Sequence, residues 1–317
     1  MLAMPIPDVS GALRFNSIDY DCRMSSHNRK QRRAARARDR GGEQEVRSLG
    51  SPIREQIDRL GSLGGFANHV SMALTGLPTS TSGMLASMVF AKCCAHARSI
   101  GAIALQSSMF DHHAIMALAR MIMEASTMIA YLLDPVPDEE REFRHTLLRL
   151  HDSVGRLKLM RGFGMSADDI RVGRDELKAQ IEASPTFHKL SDERKKRVAS
   201  GEEMFVVGMR NVATRMIGWD ETQFNGVYAY FSAHTHSAPM SFSRMADHGI
   251  DYFHPSDTQF EIPALSIEVA MACLRRSMLR MLEGHPEKIA EFHPKLLAEA
   301  YEDDAGCPFF SKPLQAG

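Results

Sequence analysis

Two stretches of this 317-residue chain set polar and charged side chains at helical spacing among apolar neighbours. In the first, His113, Arg120, Glu124, Thr127 and Tyr131 follow one another at steps of 7, 4, 3 and 4, which puts them on one helix face. In the second, Tyr228, Ser232 and His236 stand at i, i+4 and i+8, while Tyr230 and His234 form a second line on the same helix. A carboxylate such as Glu124 can fix the tautomer or charge of an imidazole, and a guanidinium such as Arg120 can pair with that carboxylate or with a bound anion. Arg120, Glu124, Ser232 and His236 are therefore the candidate catalytic residues, with His113, Tyr131, Tyr228 and His234 as candidate binding residues. The reading requires the two helices to be neighbours. An Arg–Glu–Ser–His network can equally serve only to join two helices and fix their register, and spacing alone does not separate the two roles.

The first stripe lies on a helix predicted over about 109–133. Its apolar side is Leu118, Ile122, Ala125, Ile129, Leu132 and Leu133, and Asp134-Pro135-Val136-Pro137 stops it. Asp220 caps the second helix, over about 221–236, and Pro239 ends it. Before these, a helix opens at Ser51-Pro52, is interrupted at Gly64-Gly65, and is followed by a long helix over about 84–106. Between them, Asp138 or Glu139 opens a helix to about Met160, and a short charged helix runs to about Ala183. The stretch 184–202 reads as exposed and polar, 203–216 as helical. Irregular chain is expected over 240–262, a strong helix over Ile262–Glu283, and a last helix from Pro286 to about Tyr301. The helix over 109–133 is expected to be central and to be the only one with a buried ion pair.

No run alternates with period two, and the 21 methionines suit irregular gaps between helices. The fold class is all-α: a multi-helix bundle over 51–302, preceded by a disordered basic arm at 1–50 and followed by an irregular tail at 303–317. From Arg23 to Arg40 the arm holds eight Lys or Arg and a single acid, Asp39. A solvated arm accounts for this. The sharper reading is a nucleic-acid tether in which Arg29, Lys30, Arg32, Arg33, Arg36 and Arg38 neutralise phosphates. The piece Asn28 to Ala34 is similar to a stretch common near the start of many bacterial proteins, which makes Met24 an alternative start to Met1.

The block Arg120-Met121-Ile122-Met123-Glu124, leading to Tyr131-Leu132-Leu133-Asp134, resembles the Arg-x-x-x-Glu helix of a widespread bacterial all-helical family of unknown function. The block Tyr228-Ala229-Tyr230-Phe231-Ser232, with His236, resembles that family's Tyr-x-x-(Leu/Phe)-Ser-x-x-x-His helix. The resemblance covers roughly residues 84–284. It implies an all-α fold and no particular reaction, and His234 and the basic arm lie outside its pattern.

Other chemistries leave weaker traces. HEPN-like RNA-cleaving domains of toxin and defence systems carry an Arg, four to six residues, then a His on one helix. Arg144 with His151 and Arg280 with His285 fit, but two such pairs are no more than chance supplies in a chain with 14 histidines. In such an enzyme the histidine would be the general base and the arginine would steady the phosphorane. His112-His113 and His234-x-His236 invite a metal. Neighbours on a regular helix point about 100° apart, however, so one ion does not easily collect either pair, and no metal is expected. Glu142-x-x-His145 is a lone pair, read as exposed side chains, where a di-iron bundle needs two such helices. Ser232 sits in no nucleophile elbow, and no phosphate-binding glycine loop occurs, so no nucleotide cofactor is expected.

Composition bounds the rest. A formal net charge of −1 gives no global reason for membrane or nucleic-acid binding. Met1–Leu13 lacks a basic start, and Val70–Ala91 is broken by Thr75, Pro78 and the Thr79–Ser82 run, so neither a secretory signal nor a membrane span is expected. Five cysteines without metal or redox spacing suggest reduced thiols and a cytoplasmic location. The charged region Asp138–Glu202 reads as solvated helices at the rim, with a partner protein or self-association as the alternative.

Overall fold

The computed structural model describes residues 52–77, 79–105, 109–236, 238–243, 245 and 249–311. The basic arm, with Arg29, Lys30, Arg32, Arg33, Arg36 and Arg38, lies outside the described residues, as do Cys22 and residues 312–317.

Among the described residues the chain is helical, with one isolated β-bridge between Trp219 and Phe310. Four helices make the main bundle around α3 (His112–Leu133), namely α1 (Pro52–Leu74), α2 (Thr81–Ala104), α9 (Glu221–Thr235) and α12 (Ala264–Glu283). Asp111 starts α3 by accepting from the Ala114 N–H at 3.0 Å, and Asp134, held extended before Pro135, ends it. No Gly or Pro falls between, and Ala, Met and Leu favour the helix. α3 packs on α2, α12 and α9, while α1 lies across α2 and α12. Ile115, Ile122 and Ile129 of α3 meet Phe90, Ile100, Phe231, Leu274 and Leu279 in one core. By length and hydropathy α3 would suit a membrane span; here it is mostly buried at the centre of the bundle.

Several expected boundaries shift. Gly64-Gly65 does not interrupt α1, which runs straight through. Each glycine costs a helix about 1 kcal/mol, which burial of Ile57, Leu60, Ala67 and Val70 on the same helix outweighs. A Cβ at Gly64 would lie 3.8 Å from the Ala97 Cβ, so α1 and α2 approach closely there. The segment 203–216 is not one helix. It is a loop, then a turn of helix α8 (Met209–Val212), then a π-helical turn (Ala213–Ile217) closed by Gly218 at φ +88°. The carbonyls of Met216 and Ile217 accept from Arg280 and Arg276 of α12.

The charged region after α3 has a core of its own. α4 (Asp138–Gly162), α5 (Asp168–Ala183), α6 (Pro185–His188) and α7 (Asp192–Ala199) bring together Leu147, Leu150, Leu177, Ile181, Phe187 and Val198. Phe205, Val206 and Tyr131 close that cluster. These are therefore not merely solvated helices at a rim, and 184–202 is not uniformly exposed. Each short element gives the core only one or two side chains, too few to show as a periodic stripe.

The expected irregular stretch 240–262 contains two short helices, α10 (Pro239–Phe242) and α11 (Asp257–Glu261). The last helix is split into α13 (Pro286–Ile289) and α14 (Pro294–Ala305). The segment expected to trail off from 303 belongs to the core as far as residue 310. Asp304, Cys307 and Phe310 are buried, and Asp304 takes both arms of the Arg276 guanidinium at 2.8 and 2.5 Å. The Arg276 guanidinium also lies 3.9 Å from the Phe310 ring centroid. α3 is thus not alone in carrying a buried ion pair, since the one on α12 is the more completely sealed, each side chain being 1% exposed. Cys93, Cys94, Cys273 and Cys307 are buried free thiols, and burial pushes their pKa values up, which makes them packing groups rather than nucleophiles.

Candidate functional site

α3 and α9 are neighbours, and their polar stripes meet. Asp220 starts α9 by accepting from the Gln223 N–H at 2.9 Å, which sets the phase that turns Phe224, Val227 and Phe231 inward. Tyr228 and Ser232 then fall on the edge facing α3, with His236 at the residue that caps the helix. Arg120 reaches across this seam. Its Nε donates to Glu124 Oε1 at 2.9 Å and its Nη2 to the Tyr228 hydroxyl at 2.8 Å. Nη1 lies 3.0 Å from His236 Nε2 and 3.4 Å from Ser232 Oγ. The Tyr228 hydroxyl donates onward to Glu124 Oε1 at 3.2 Å. Because arginine only donates, His236 Nε2 is the acceptor, which assigns the imidazole proton to Nδ1.

This cluster is open at one end. The Arg120 side chain is 14% exposed, Glu124 39%, and His236 lies at the surface. Burial works against the Arg120 charge, but the Glu124 carboxylate and Tyr228 phenol outweigh it and raise its pKa above the ordinary arginine value. Burial, reinforced by the Glu124 charge, raises the Tyr228 phenol as well. Both groups therefore keep their protons at neutral pH, and Arg120 is a fixed cation.

A family model described as a family of unknown function (DUF5677) matches residues 83–253, more than half the chain and all of α3 and α9. The chain belongs to that family. The DUF5677 match begins near the start of α2, as the sequence resemblance suggests, but ends before α12 rather than running to about residue 284. No curated protein and no solved structure matches the chain.

The other candidate residues, most of them within the DUF5677 match, divide. Glu124 meets Arg120 and Tyr228; its partner is not His236. Thr127 and Tyr131 share the helix face of Arg120 but leave the site. The Thr127 hydroxyl bonds the Met123 carbonyl. The Tyr131 hydroxyl accepts from the Val206 N–H at 3.3 Å, and the Arg144 guanidinium lies 4.3 Å from its ring centroid. Eleven residues along a helix are about 16 Å, so one face meets different neighbours at its two ends. The Arg–His pairs weighed for RNA cleavage are engaged elsewhere. Arg144 holds Glu140 and the Tyr131 carbonyl, and His151 contacts the Gly201 carbonyl at 3.0 Å. Arg280 holds Asp134, and His285 contacts Glu287. His145, expected to be exposed, is half-buried and bonds Ser82 at 2.8 Å.

A second cluster lies two helical turns back along the same seam. His113 Nδ1 and His234 Nδ1 are 2.8 Å apart. His112, the first residue of α3, is fully buried against them, its ring centroid 4.0 Å from that of His113. Tyr252 stacks over His112 with a 16° angle between the rings. The segment carrying Tyr252 is fastened to the start of α3 through buried Gln259, which donates to the Phe110 carbonyl and accepts from the Asp251 N–H. Among the described residues, neither ring nitrogen of His112 has a hydrogen-bond partner. Leaving a buried polar group unsatisfied costs roughly 1–3 kcal/mol. Burial, with the neighbouring imidazoles, lowers His112 to about 4; burial and then His113 lower His234 to about 4 as well. Sequence reasoning selected His113 and His234 but not His112 or Tyr252. Its available signal was the His112-His113 pair directly after the helix-capping Asp111.

Proposed function

We propose that the open edge of the α3–α9 seam binds a small oxyanion, carboxylate or phosphate in chemistry, with Arg120 as its anchor and Ser232 and His236 as flanking contacts. One observation carries this reading. Glu124 and Tyr228 fix two corners of the Arg120 guanidinium and leave the third turned toward an exposed imidazole and a hydroxyl at 3.4 Å, beyond the usual N–H···O range. A guanidinium held in this way has given up its rotational freedom in advance, which is what a preorganised anion site requires. The incoming oxygens would take the Nη1 protons from His236 and the hydrogen of Ser232. The same contacts also hold α3 and α9 in register, and the two uses are compatible, because ligand exchange would disturb only the outer corner.

Isothermal titration of the full chain with acetate, succinate, inorganic phosphate and sulfate tests the proposal. Saturable one-to-one binding of at least one of these is expected. Arg120→Lys keeps the charge but loses the planar fork, and should weaken binding by about tenfold or more. His236→Asn should weaken it less. Absence of binding across the panel, or equal binding by the folded Arg120→Lys protein, overturns the reading.

A further inference from the structure

We infer that His112, His113 and His234 form a binding site for one divalent transition cation of the zinc class. A candidate ligand nitrogen from each of the three imidazoles lies within 4.8 Å of the others. His113 and His234 already meet through like nitrogens, Nδ1 to Nδ1 at 2.8 Å, an arrangement in which the two rings share one proton. A tetrahedral cation with Zn–N bonds of about 2.0–2.1 Å would separate two such nitrogens by about 3.3 Å. Replacing the shared proton by a metal thus needs the pair to open by only about half an ångström. His112 supplies the second, independent observation, since it is fully buried, aimed into the cluster and without a hydrogen-bond partner among the described residues. A cation would give one of its nitrogens the partner it lacks.

The helical geometry that argues against a His-His pair does not apply here. His112 is the first residue of α3, where the ring can fold back over His113 instead of following the helix face, and the third ligand comes from another helix. The positive end of the α3 dipole disfavours a cation, and the Asp111 carboxylate at that same end offsets it. An all-imidazole donor set selects zinc, cobalt, nickel or copper over magnesium or calcium, which take oxygen ligands. Three protein ligands leave a position open for water or another small molecule. The site stands apart from Arg120, about 10 Å away along the helix, so either proposal can fail without the other.

The test uses the full chain, free of any purification tag and stripped with EDTA. Titration with Co²⁺ is expected to give one ion per chain with the d–d absorption of a low-coordinate site, displaced by Zn²⁺ and not by Mg²⁺. His113→Gln and His234→Gln, both at half-buried positions, should each weaken Co²⁺ binding by at least about 100-fold, the upper end of what even an outer-shell partner is worth. Circular dichroism and Trp219 fluorescence report whether each variant is folded. X-ray absorption of the zinc-loaded wild type needs no variant, and three imidazole scatterers near 2.0 Å are expected. Failure of the wild type to bind one ion, sulfur in the metal shell, or unchanged Co²⁺ binding by a folded variant overturns the inference.

Discussion

The Tyr228 hydroxyl lies 2.8 Å from Arg120 Nη2, while the face of the same Tyr228 ring sits 4.8 Å below the guanidinium carbon. One side chain of α9 thus holds one side chain of α3 by both its polar tip and its π surface. Tyr228→Phe separates the two contributions, since the ring stays and the hydroxyl goes. Arg120 and Glu124 then each lose a partner at a half-buried position. A loss of about 1–2 kcal/mol in urea unfolding is expected, around the low end for hydrogen bonds to charged groups because the site is partly open to water. A double-mutant cycle with Glu124→Gln should give a non-zero coupling, because the hydroxyl bridges both. Purely additive losses would mean that the bridge contributes nothing to stability.

Arg276 and Asp304 provide the sealed counterpart. Their bidentate contact joins α12 to α14, and Arg276 also holds the Ile217 carbonyl at the end of the π-helical turn. Asp304→Ala leaves a guanidinium buried beside Phe310 without its counter-charge. The expected loss is about 3–5 kcal/mol, well above that of Tyr228→Phe. Trp219, the single tryptophan, packs on Phe224, Phe309 and Phe310, so its fluorescence reports this corner directly. A loss no greater than that of an exposed ion pair would show that the corner is less tightly packed than its geometry implies.

The contrast between these two arginines shows what the sequence made legible. Arg120 was readable because its partners repeat at i+4 on its own helix and at i, i+4 and i+8 on another, so helical periodicity alone lines them up. Arg276 was not, because its partner Asp304 stands 28 residues away as the last of three consecutive acids, Glu302, Asp303 and Asp304, past the expected end of the last helix, and nothing in the sequence singles it out from its neighbours. Tyr131 was placed by the same periodicity as Arg120 yet serves the second core, since period fixes a face but not which neighbour that face meets. The rule that neighbouring side chains point about 100° apart holds for helix interiors, and His112 stands at a helix start. The second core was hidden because α5, α6 and α7 each bury only one or two apolar residues.

Gly201 marks where that second core has no slack. Its φ is +69°, and a Cβ there would come within 2.7 Å of Val154 Cγ2 and 3.1 Å of Leu150 Cγ on α4. Its carbonyl also takes the contact from His151. Gly201→Ala therefore meets both a disfavoured backbone region and an occupied space. A destabilisation of about 1–3 kcal/mol is expected. Hydrogen exchange should locate it, with faster exchange in α4 and α7 and little change in α12. A variant as stable as wild type would mean that the turn after α7 relaxes at no cost.

The histidine cluster sets a pH window. Burial holds His112 and His234 at about 4, against an ordinary value of 6.5. Below pH 6.5 the unfolded chain takes up protons at these positions that the folded chain refuses. Their contribution to stability is therefore complete above 6.5, is lost as pH falls from 6.5 toward 4, and changes no further once both states are protonated. Asp111 opposes the shift of His112 and His113, while repulsion from the neighbouring imidazoles adds to the shift of His112 and His234. Urea unfolding at successive pH values, with EDTA present so that metal does not compete with protons, should show this decline for the wild type. His112→Phe fills the same buried space with a ring that cannot be protonated, so its profile should be shallower between 6.5 and 4. A wild-type profile flat across that interval, or a variant with the same slope, would show that the buried imidazoles accept protons as readily as free ones.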